Sequence, residues 1–230
     1  MFEPWIQTHS LDIQNFIQRL QLLDYNACIV EDLPLKHIEE LELNKTIPEK
    51  FKIFNRRTIE SSKRNPGDID HIRKEHDFIS YHCATPELTK WACQDQRIDA
   101  ILFSLADIHQ LADDSTIILA KEHDKALEIE YYSILTNRYP ISFLRNIKKV
   151  VFRATKKNLP IIFSSRAQHV ENLRSIYSLE GFLDFIDVPS KYNTAISQQW
   201  LISRLERNRI RKSSNFIAPG IWFSDKEDTN

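Results

Sequence analysis

The side chains with the clearest chemical pattern in this chain are basic. Six cations and no acid lie between residues 141 and 157: Arg145, Lys148, Lys149, Arg153, Lys156 and Lys157. A second basic group follows in the last helical stretch: Arg204, Arg207, Arg209, Arg211 and Lys212. Cations repeated along a helix face attract phosphate groups without reading base sequence. The pattern predicts a surface that binds a polyanion.

The net charge of −1 conceals an uneven distribution of charge along the chain. Residues 1–137 carry 15 Lys and Arg against 24 Asp and Glu, whereas residues 138–212 carry 15 against 5. Such segregation indicates a basic surface for nucleic acid and an acidic remainder that contacts other proteins. A basic helix face also suits an acidic protein partner, so a protein-interaction scaffold stays open as an alternative.

The scarcity of glycine excludes two classes of enzyme site. Only Gly67, Gly181 and Gly220 occur in the chain, so neither a glycine-rich nucleotide-binding turn nor a P-loop can form. The GxSxG nucleophile elbow is absent for the same reason.

A metal-dependent phosphoesterase is the enzyme alternative. Its candidate ligands lie after apolar runs, where barrels carry active sites: His82, Cys83, Asp107, His109, Glu128 and His169. Two features oppose it. The first apolar run is followed by a lone His9 rather than a His-x-His pair, and Arg166 stands where a carboxylate is needed and would repel a cation. Solvated loop histidines are favoured over metal ligands.

Apolar runs alternate with amphipathic stretches throughout the chain. The eight candidate strands are 2–6, 27–30, 51–54, 78–81, 98–103, 126–129, 161–163 and 185–188. Helices are expected near 12–23, 35–43, 66–75, 86–94, 113–123, 141–157, 170–179 and 194–209. Eight βα units predict an α/β fold, a single (β/α)8 TIM-type barrel. The sixth and eighth helices would then be neighbours in the outer ring and merge the two basic groups into one patch.

Local residues suggest where these elements begin and end. Pro66 and Pro86 suit the first turn of a helix, Asp113 or Asp114 suits a helix cap, and Gly181 suits a helix stop. Periodicity ends near residue 212, so the predicted domain is 1–211 and 212–230 a mobile tail.

The remaining sequence features favour a cytoplasmic protein with no membrane contact. No run of 18 apolar residues occurs, and the N-terminus lacks the pattern of a secretory signal. Cys28, Cys83 and Cys93 have no metal-type spacing, and their odd number argues against a disulfide framework.

Several ordered motifs carry a resemblance to a known family. They are Arg97-Ile-Asp-Ala-Ile-Leu102, Ala126-Leu-Glu-Ile129, the basic helix that opens Leu144-Arg145, Ser164-Ser-Arg-Ala167 and Leu173-Arg174-Ser175. In this order they resemble the archaeal and eukaryotic ribonuclease P protein component 3 family, over about residues 56–209.

The resemblance implies a TIM-type barrel and a non-catalytic subunit of ribonuclease P. It implies that the chain, together with ribonuclease P protein component 2, supports the catalytic RNA in removing the 5′ leader from precursor tRNA. The catalyst is the RNA, which uses magnesium, and this chain is expected to hold no cofactor, no metal and no active site of its own. The compact length favours an archaeal source. The residues expected to contact RNA are those of the first basic group with Arg204, Arg207, Arg209 and Arg211.

Overall fold

The computed structural model describes residues 1–7, 13–43, 47–48, 50–60, 66–136, 140–212, 216–218 and 221–222. The strands of the main sheet are β1 (Phe2–Ile6), β2 (Ala27–Glu31), β3 (Lys52–Ile59), β4 (Phe78–His82), β5 (Ala100–Leu102), β6 (Ala126–Glu130) and β7 (Ile161–Ser164). The first helices are α1 (Ile13–Leu22), α2 (Leu35–Leu43), α3 (Pro66–Glu75), α4 (Pro86–Gln94), α5 (Ile108–Leu111) and α6 (Asp114–Glu122). The later ones are α7 (Tyr131–Thr136), α8 (Pro140–Lys156), α9 (Ile176–Phe185), α10 (Ser190–Tyr192) and α11 (Gln199–Arg211). The π-helical turn Asn193–Gln198 joins α10 to α11.

The sheet contains seven parallel strands in sequence order and is nearly closed into a barrel. The predicted α/β barrel is therefore confirmed, and the predicted eighth strand is wrong. Residues 185–188 instead end α9: Phe185 is its last residue, and the amide of Val188 donates to the carbonyl of Leu183 at 2.9 Å. The helix expected near 170–179 accordingly lies later, at 176–185, and contains Gly181.

The seam between β1 and β7 is held by bonds from the Ser-Ser-Arg-Ala motif. Ser165 donates from its hydroxyl to the carbonyl of Trp5 at 3.1 Å and from its amide to Oε1 of Glu3 at 3.0 Å. Ala167 forms an isolated parallel bridge with Ile6. Side-chain hydrogen bonds at this seam take the place of a regular backbone ladder between the first and last strands.

Alternate residues of each strand point into the barrel. The polarity of these inward residues changes along the barrel axis. At the amino ends of the strands, the lower end of the barrel, an apolar cluster includes Phe2, Phe54, Phe78 and Ile162. Leu201 and Leu205 of α11 belong to the same cluster, so α11 lies across the lower end. The opposite end, at the carboxyl ends of the strands, is the barrel mouth.

Several predicted helix starts are confirmed. Thr85 caps α4 by accepting a hydrogen bond from the amide of Leu88, and Pro86 is the first residue of the helix. Asp113 caps α6 by accepting from the amide of Thr116 at 2.7 Å. These caps satisfy amide groups that have no partner within the helix.

Part of the C-terminal tail is described. Phe216–Ala218 (β8) pairs with Ile221–Trp222 (β9) in an antiparallel arrangement. Residues 213–215, 219–220 and 223–230 lie outside the described residues, so the predicted mobility of the tail and the domain boundary stay predictions. Within the described part of the chain, no helix is both long and apolar enough to cross a lipid bilayer.

Candidate nucleic-acid interface and barrel mouth

The first basic group lies on α8, whose amphipathic character is confirmed. Ile147, Val150, Val151 and Ala154 are buried against the barrel. The opposite face exposes four cations: Arg145, Lys149, Lys156 and Lys157. Among the described residues, none of these four has an ion-pair partner. They form a surface of uncompensated positive charge, which is called the α8 face below.

The other two cations of this group are partly engaged. Lys148 forms an ion pair with Asp187 at 3.0 Å and lies 5.0 Å from the ring centre of Phe185. Arg153 donates to the carbonyl of Ala112 at 3.3 Å. The Nε atom of Arg153 also lies 4.0 Å from a carboxylate oxygen of Asp114.

The second basic group lies on a helix that is not part of the outer ring. α11 lies across the lower end of the barrel, whereas α8 packs in the outer ring against α5, α6 and α7. The expectation that the last helix neighbours α8 in the outer ring is therefore wrong, and the merging of the two groups into one patch stays a prediction. Residues 185–188 form no eighth strand, so the last helix has no place in the outer ring.

Three of the four predicted arginines on α11 are paired with aspartates at the starts of strands. Arg204 is 5% exposed and lies 2.7 Å from Asp124 and 3.5 Å from Asp99. Burial lowers the pKa of Arg204, an effect that these carboxylates oppose. Arg207 also pairs with Asp124, at 3.3 Å. Arg204 thus holds α11 to the barrel and is not available to RNA.

Arg209 and Arg211 differ in their surroundings. Arg209 donates to Asp77 at 3.0 Å and to the carbonyl of Ile53 at 2.7 Å. Arg211 is exposed and has no ion pair among the described residues. Of the four arginines predicted on this helix, Arg211 is the one placed to meet a phosphate directly.

The centre of the barrel holds a buried ionic network built on Arg56. Its guanidinium forms two hydrogen bonds with Glu128, at 2.8 and 2.9 Å, and both side chains are fully buried. Ser80 contacts both groups, and the Arg56 guanidinium lies 4.3 Å from the ring centre of Trp5. Burial alone would lower the pKa of Arg56, but Glu128 and Glu31 raise it. The network thus pairs a buried cation with carboxylates from two other strands.

The barrel mouth is occupied by a second guanidinium, that of Arg166. It lies 3.5 Å from both Glu60 and Glu130 and 4.9 Å from the ring centre of Trp5. Its φ of 51° is a left-handed conformation that non-glycine residues seldom adopt. A cavity of about 360 Å³ at the mouth is lined by Glu60, His82, Glu130, Phe143 and Arg166 among others.

These contacts weaken the phosphoesterase hypothesis. Glu128, one of its candidate ligands, is paired with Arg56, and Asp107 accepts a hydrogen bond from Ser104 at 2.6 Å. Burial raises the pKa of the Cys83 thiol. Within the described ranges, no three His, Cys, Asp or Glu side chains gather to hold a metal ion, and His9 lies outside those ranges.

The comparison with family models decides the assignment. The model described as RNase P subunit p30 matches residues 6–213. The chain belongs to the RNase P subunit p30 family. The curated ribonuclease P protein component 3 of Halobacterium salinarum is similar to this member of the family, with 24% identity over 176 residues, 72% of this chain and 73% of that protein.

Solved structures resemble this p30-family chain in fold. A chain in the cryo-EM structure of archaeal ribonuclease P with mature tRNA matches with a TM-score of 0.78 and 19% identity, over 97% of this chain and 99% of that chain. Histidinol phosphate phosphatase from Lactococcus lactis, solved with zinc, L-histidinol and phosphate, matches with a TM-score of 0.56 and 10% identity. That match covers 81% of this chain and 93% of the phosphatase. The barrel is thus shared with a metal enzyme, and the phosphoesterase hypothesis is not favoured for this family member.

Sequence reasoning missed the buried network and did not foresee the pairing of Arg97 with Asp95 at 2.5 Å and Asp70 at 2.8 Å. The signal for the network was present: Arg56 and Glu128 each stand at an inward position of an apolar strand, in alternation with buried hydrophobic residues.

Proposed function

We propose that this chain is a non-catalytic protein subunit of ribonuclease P that binds the RNA of that enzyme through its α8 face. The family match carries the assignment to ribonuclease P. The exposed cations Arg145, Lys149, Lys156 and Lys157 carry the assignment of the contact surface. Lys148 and Arg153 flank that surface and are proposed to contribute once an RNA approaches.

The charge of the α8 face supports RNA as its ligand. An RNA backbone carries condensed counterions, and exposed cations that neutralise its phosphates release those counterions when the RNA binds. Cations already paired with acids would bind phosphate more weakly, because each phosphate contact would first have to break an ion pair.

An exposed aromatic side chain adds a second reason. Phe152 is 66% exposed and lies between Lys149 and Lys156 on the same helical line. Cations interspersed with an aromatic ring suit unpaired nucleotides, since a base stacks on the ring while its phosphates meet the cations. We propose that the α8 face binds a single-stranded or irregular part of the RNA.

The barrel mouth supports the non-catalytic assignment. Arg166 places a fixed positive charge between two carboxylates, at the end where barrel enzymes bind their substrates. In this proposal cleavage of the 5′ leader belongs to the RNA and its magnesium. The protein partner is ribonuclease P protein component 2, precursor tRNA is contacted through the assembly, and the compartment is the cytoplasm of an archaeon.

Reconstitution tests the proposal. The chain is combined with its cognate RNA and partner proteins, and precursor-tRNA cleavage is measured at low magnesium. The wild-type chain should raise the rate. Replacement of Lys149 and Lys156 by glutamate should remove most of that effect, because two attractive contacts become repulsive.

A matched variant controls for loss of charge alone. Lys36 and Lys90 are exposed on α2 and α4, away from α8, and glutamate at both positions changes the net charge equally. This control should behave as wild type. A complete reconstitution in which the wild-type chain leaves cleavage unchanged would overturn the proposed function. Equal loss in both variants would overturn the assignment of the α8 face.

A further inference from the structure

A second basic feature lies at the lower end of the barrel, between α3, the turn that follows α4, and the end of α11. It is a cavity of about 430 Å³, called the lower pocket below. Its lining consists of Arg73, Lys74, Gln96, Arg97, Asn208, Arg211 and Lys212. Among the residues that the structure describes, the lining therefore contains five cations, two amides and no carboxylate.

Carboxylates behind the lining hold three of these cations in position. Arg73 pairs with Asp99 at 2.5 Å, and Lys212 pairs with Asp77 at 2.6 Å. Both aspartates are almost completely buried. Arg97 is held by Asp95 in the same way. The side chains are thus oriented before any ligand arrives, which lowers the entropy lost on binding.

The other two cations complete the pocket from the solvent side. Lys74 and Arg211 are exposed, and neither has an ion pair among the described residues. They approach from different elements, the end of α3 and the end of α11. Their charges converge on one cavity although 137 positions separate them in sequence.

Mutual repulsion among the cations around this pocket would favour a bound anion. Burial lowers the pKa of Lys212; Asp77 opposes this, but Arg73 and Arg209 lower the pKa further. An anion bound in the lower pocket would offset that repulsion and strengthen its own binding.

We propose that the lower pocket binds a phosphate group of the RNA backbone, at a site separate from the α8 face. The inference rests on the proposed function, since it takes the bound polymer to be RNA. The lining favours RNA over an acidic protein segment because its described residues include no apolar side chain to anchor a peptide. Arginine forks and lysine ammonium groups are the usual protein partners of phosphate.

Two substitutions that each remove one positive charge test the lower pocket while its structural ion pairs remain. Lys74→Gln with Arg211→Gln removes the two exposed cations and leaves Arg73, Arg97 and Lys212 in place. RNA affinity of the full chain should fall severalfold, and the slope of log affinity against log salt should become shallower by about 1.5. Lys36→Gln with Lys90→Gln is the matched control, and it should leave both quantities unchanged. If the pocket variant matches this control, the proposal is overturned.

Cross-linking identifies the occupant in the assembled ribonucleoprotein. The native cysteines Cys28, Cys83 and Cys93 are all buried, so Gln96→Cys places one reactive thiol at the rim of the lower pocket. A photoreactive group attached there should cross-link to RNA. A cross-link to a protein, or to neither, would overturn the proposal.

The two proposals fail separately. A wild-type chain that does not stimulate cleavage in a complete reconstitution defeats the proposed function. A wild-type chain that stimulates cleavage, with a pocket variant equal to its control, defeats the lower pocket alone.

Discussion

Arg56 shows how one buried charge organises the inside of this barrel. It meets Glu128, Glu31, Ser80 and the carbonyl of Pro4, which belong to four different strands. A buried ion pair gives little net stability over apolar residues, but breaking it leaves an uncompensated charge in a medium of low dielectric constant. The network therefore specifies how these strands align around the axis.

Removal of Arg56 should destabilise the protein strongly. Arg56→Met leaves the fully buried Glu128 without its cationic partner, and the free energy of unfolding should fall by about 3–5 kcal/mol. Adding Glu128→Leu should restore part of this loss, because the double variant has one buried charge fewer. Urea unfolding followed by circular dichroism measures both. If Glu128→Leu destabilises the Arg56→Met variant as much as it destabilises the wild-type protein, the two residues do not interact.

Glu3 makes the stability of the seam depend on pH. Burial raises its pKa from 4.5 to about 7, although the amides of Ser165 and Trp5 donate to its carboxyl group. Between these two values the folded chain keeps a proton that the unfolded chain releases. Stability should therefore fall as pH rises from about 4.5 to 7, by about 3 kcal/mol in total.

Glu3→Gln isolates this contribution because an amide oxygen can accept the same two bonds without a titratable group. Above pH 7 the variant should be more stable than wild type by up to about 3 kcal/mol, and the difference should vanish toward pH 4.5. Thermal unfolding at a series of pH values measures it. A difference that does not change with pH would contradict the assigned role of Glu3.

At the scale of elements, four helices end on an aspartate or asparagine in the left-handed conformation. Asp24, Asp124, Asn158 and Asp187 have φ between 54° and 67° and follow α1, α6, α8 and α9. In each case the next amide donates to a carbonyl one turn back, as from Tyr25 to Leu20 at 3.0 Å. This is the Schellman arrangement, for which glycine is the usual residue. A chain with three glycines builds it with side chains that tolerate the left-handed region.

Moving glycine to such a position should stabilise the protein. Asp24→Gly relieves a left-handed side chain, and Gly181→Ala removes a glycine from the exposed interior of α9, where an added Cβ meets nothing within 4 Å. Each change should raise the free energy of unfolding by about 0.5–1 kcal/mol, and the two should add. Chemical denaturation measures the sum. Asp124→Gly is the contrasting variant: it should destabilise, because Asp124 also pairs with Arg204.

The residues at helix starts and helix ends explain which elements the sequence could predict. α3 and α4 match their predicted bounds because Pro66 and Pro86 start them and nothing competes nearby. The prediction of an eighth strand was wrong because Ile186 and Val188 flank a left-handed Asp187. In the sequence, this helix end has the same pattern as a short apolar strand. The short helices α5 and α7 have too few residues for periodicity to show. The local pattern shows that Arg56 and Glu128 point inward, but their pairing and the lower pocket depend on contacts between distant elements, which no local pattern contains.

At the scale of the whole molecule, the seven-stranded barrel separates its positive charge into two surfaces. With an eighth strand, the last helix would continue the outer ring beside α8; without it, α11 closes the lower end. The α8 face and the lower pocket therefore lie on different elements of one barrel, the outer-ring helix α8 and the ends of α3, α4 and α11. One RNA that contacts both must bend around the protein or contribute two separate segments.

This geometry predicts additive effects on RNA binding. Lys149→Gln with Lys156→Gln on the α8 face, and Lys74→Gln with Arg211→Gln in the lower pocket, should each reduce the slope of log affinity against log salt by about 1.5. The four changes together should reduce it by about 3, because the surfaces share no side chain and neither alters the other. Filter binding of the full chain to the cognate RNA from low to moderate salt gives the slopes. If the combined variant loses no more than one pair alone, the two surfaces compete for the same phosphates, and a single RNA segment would have to reach both around the edge of the barrel.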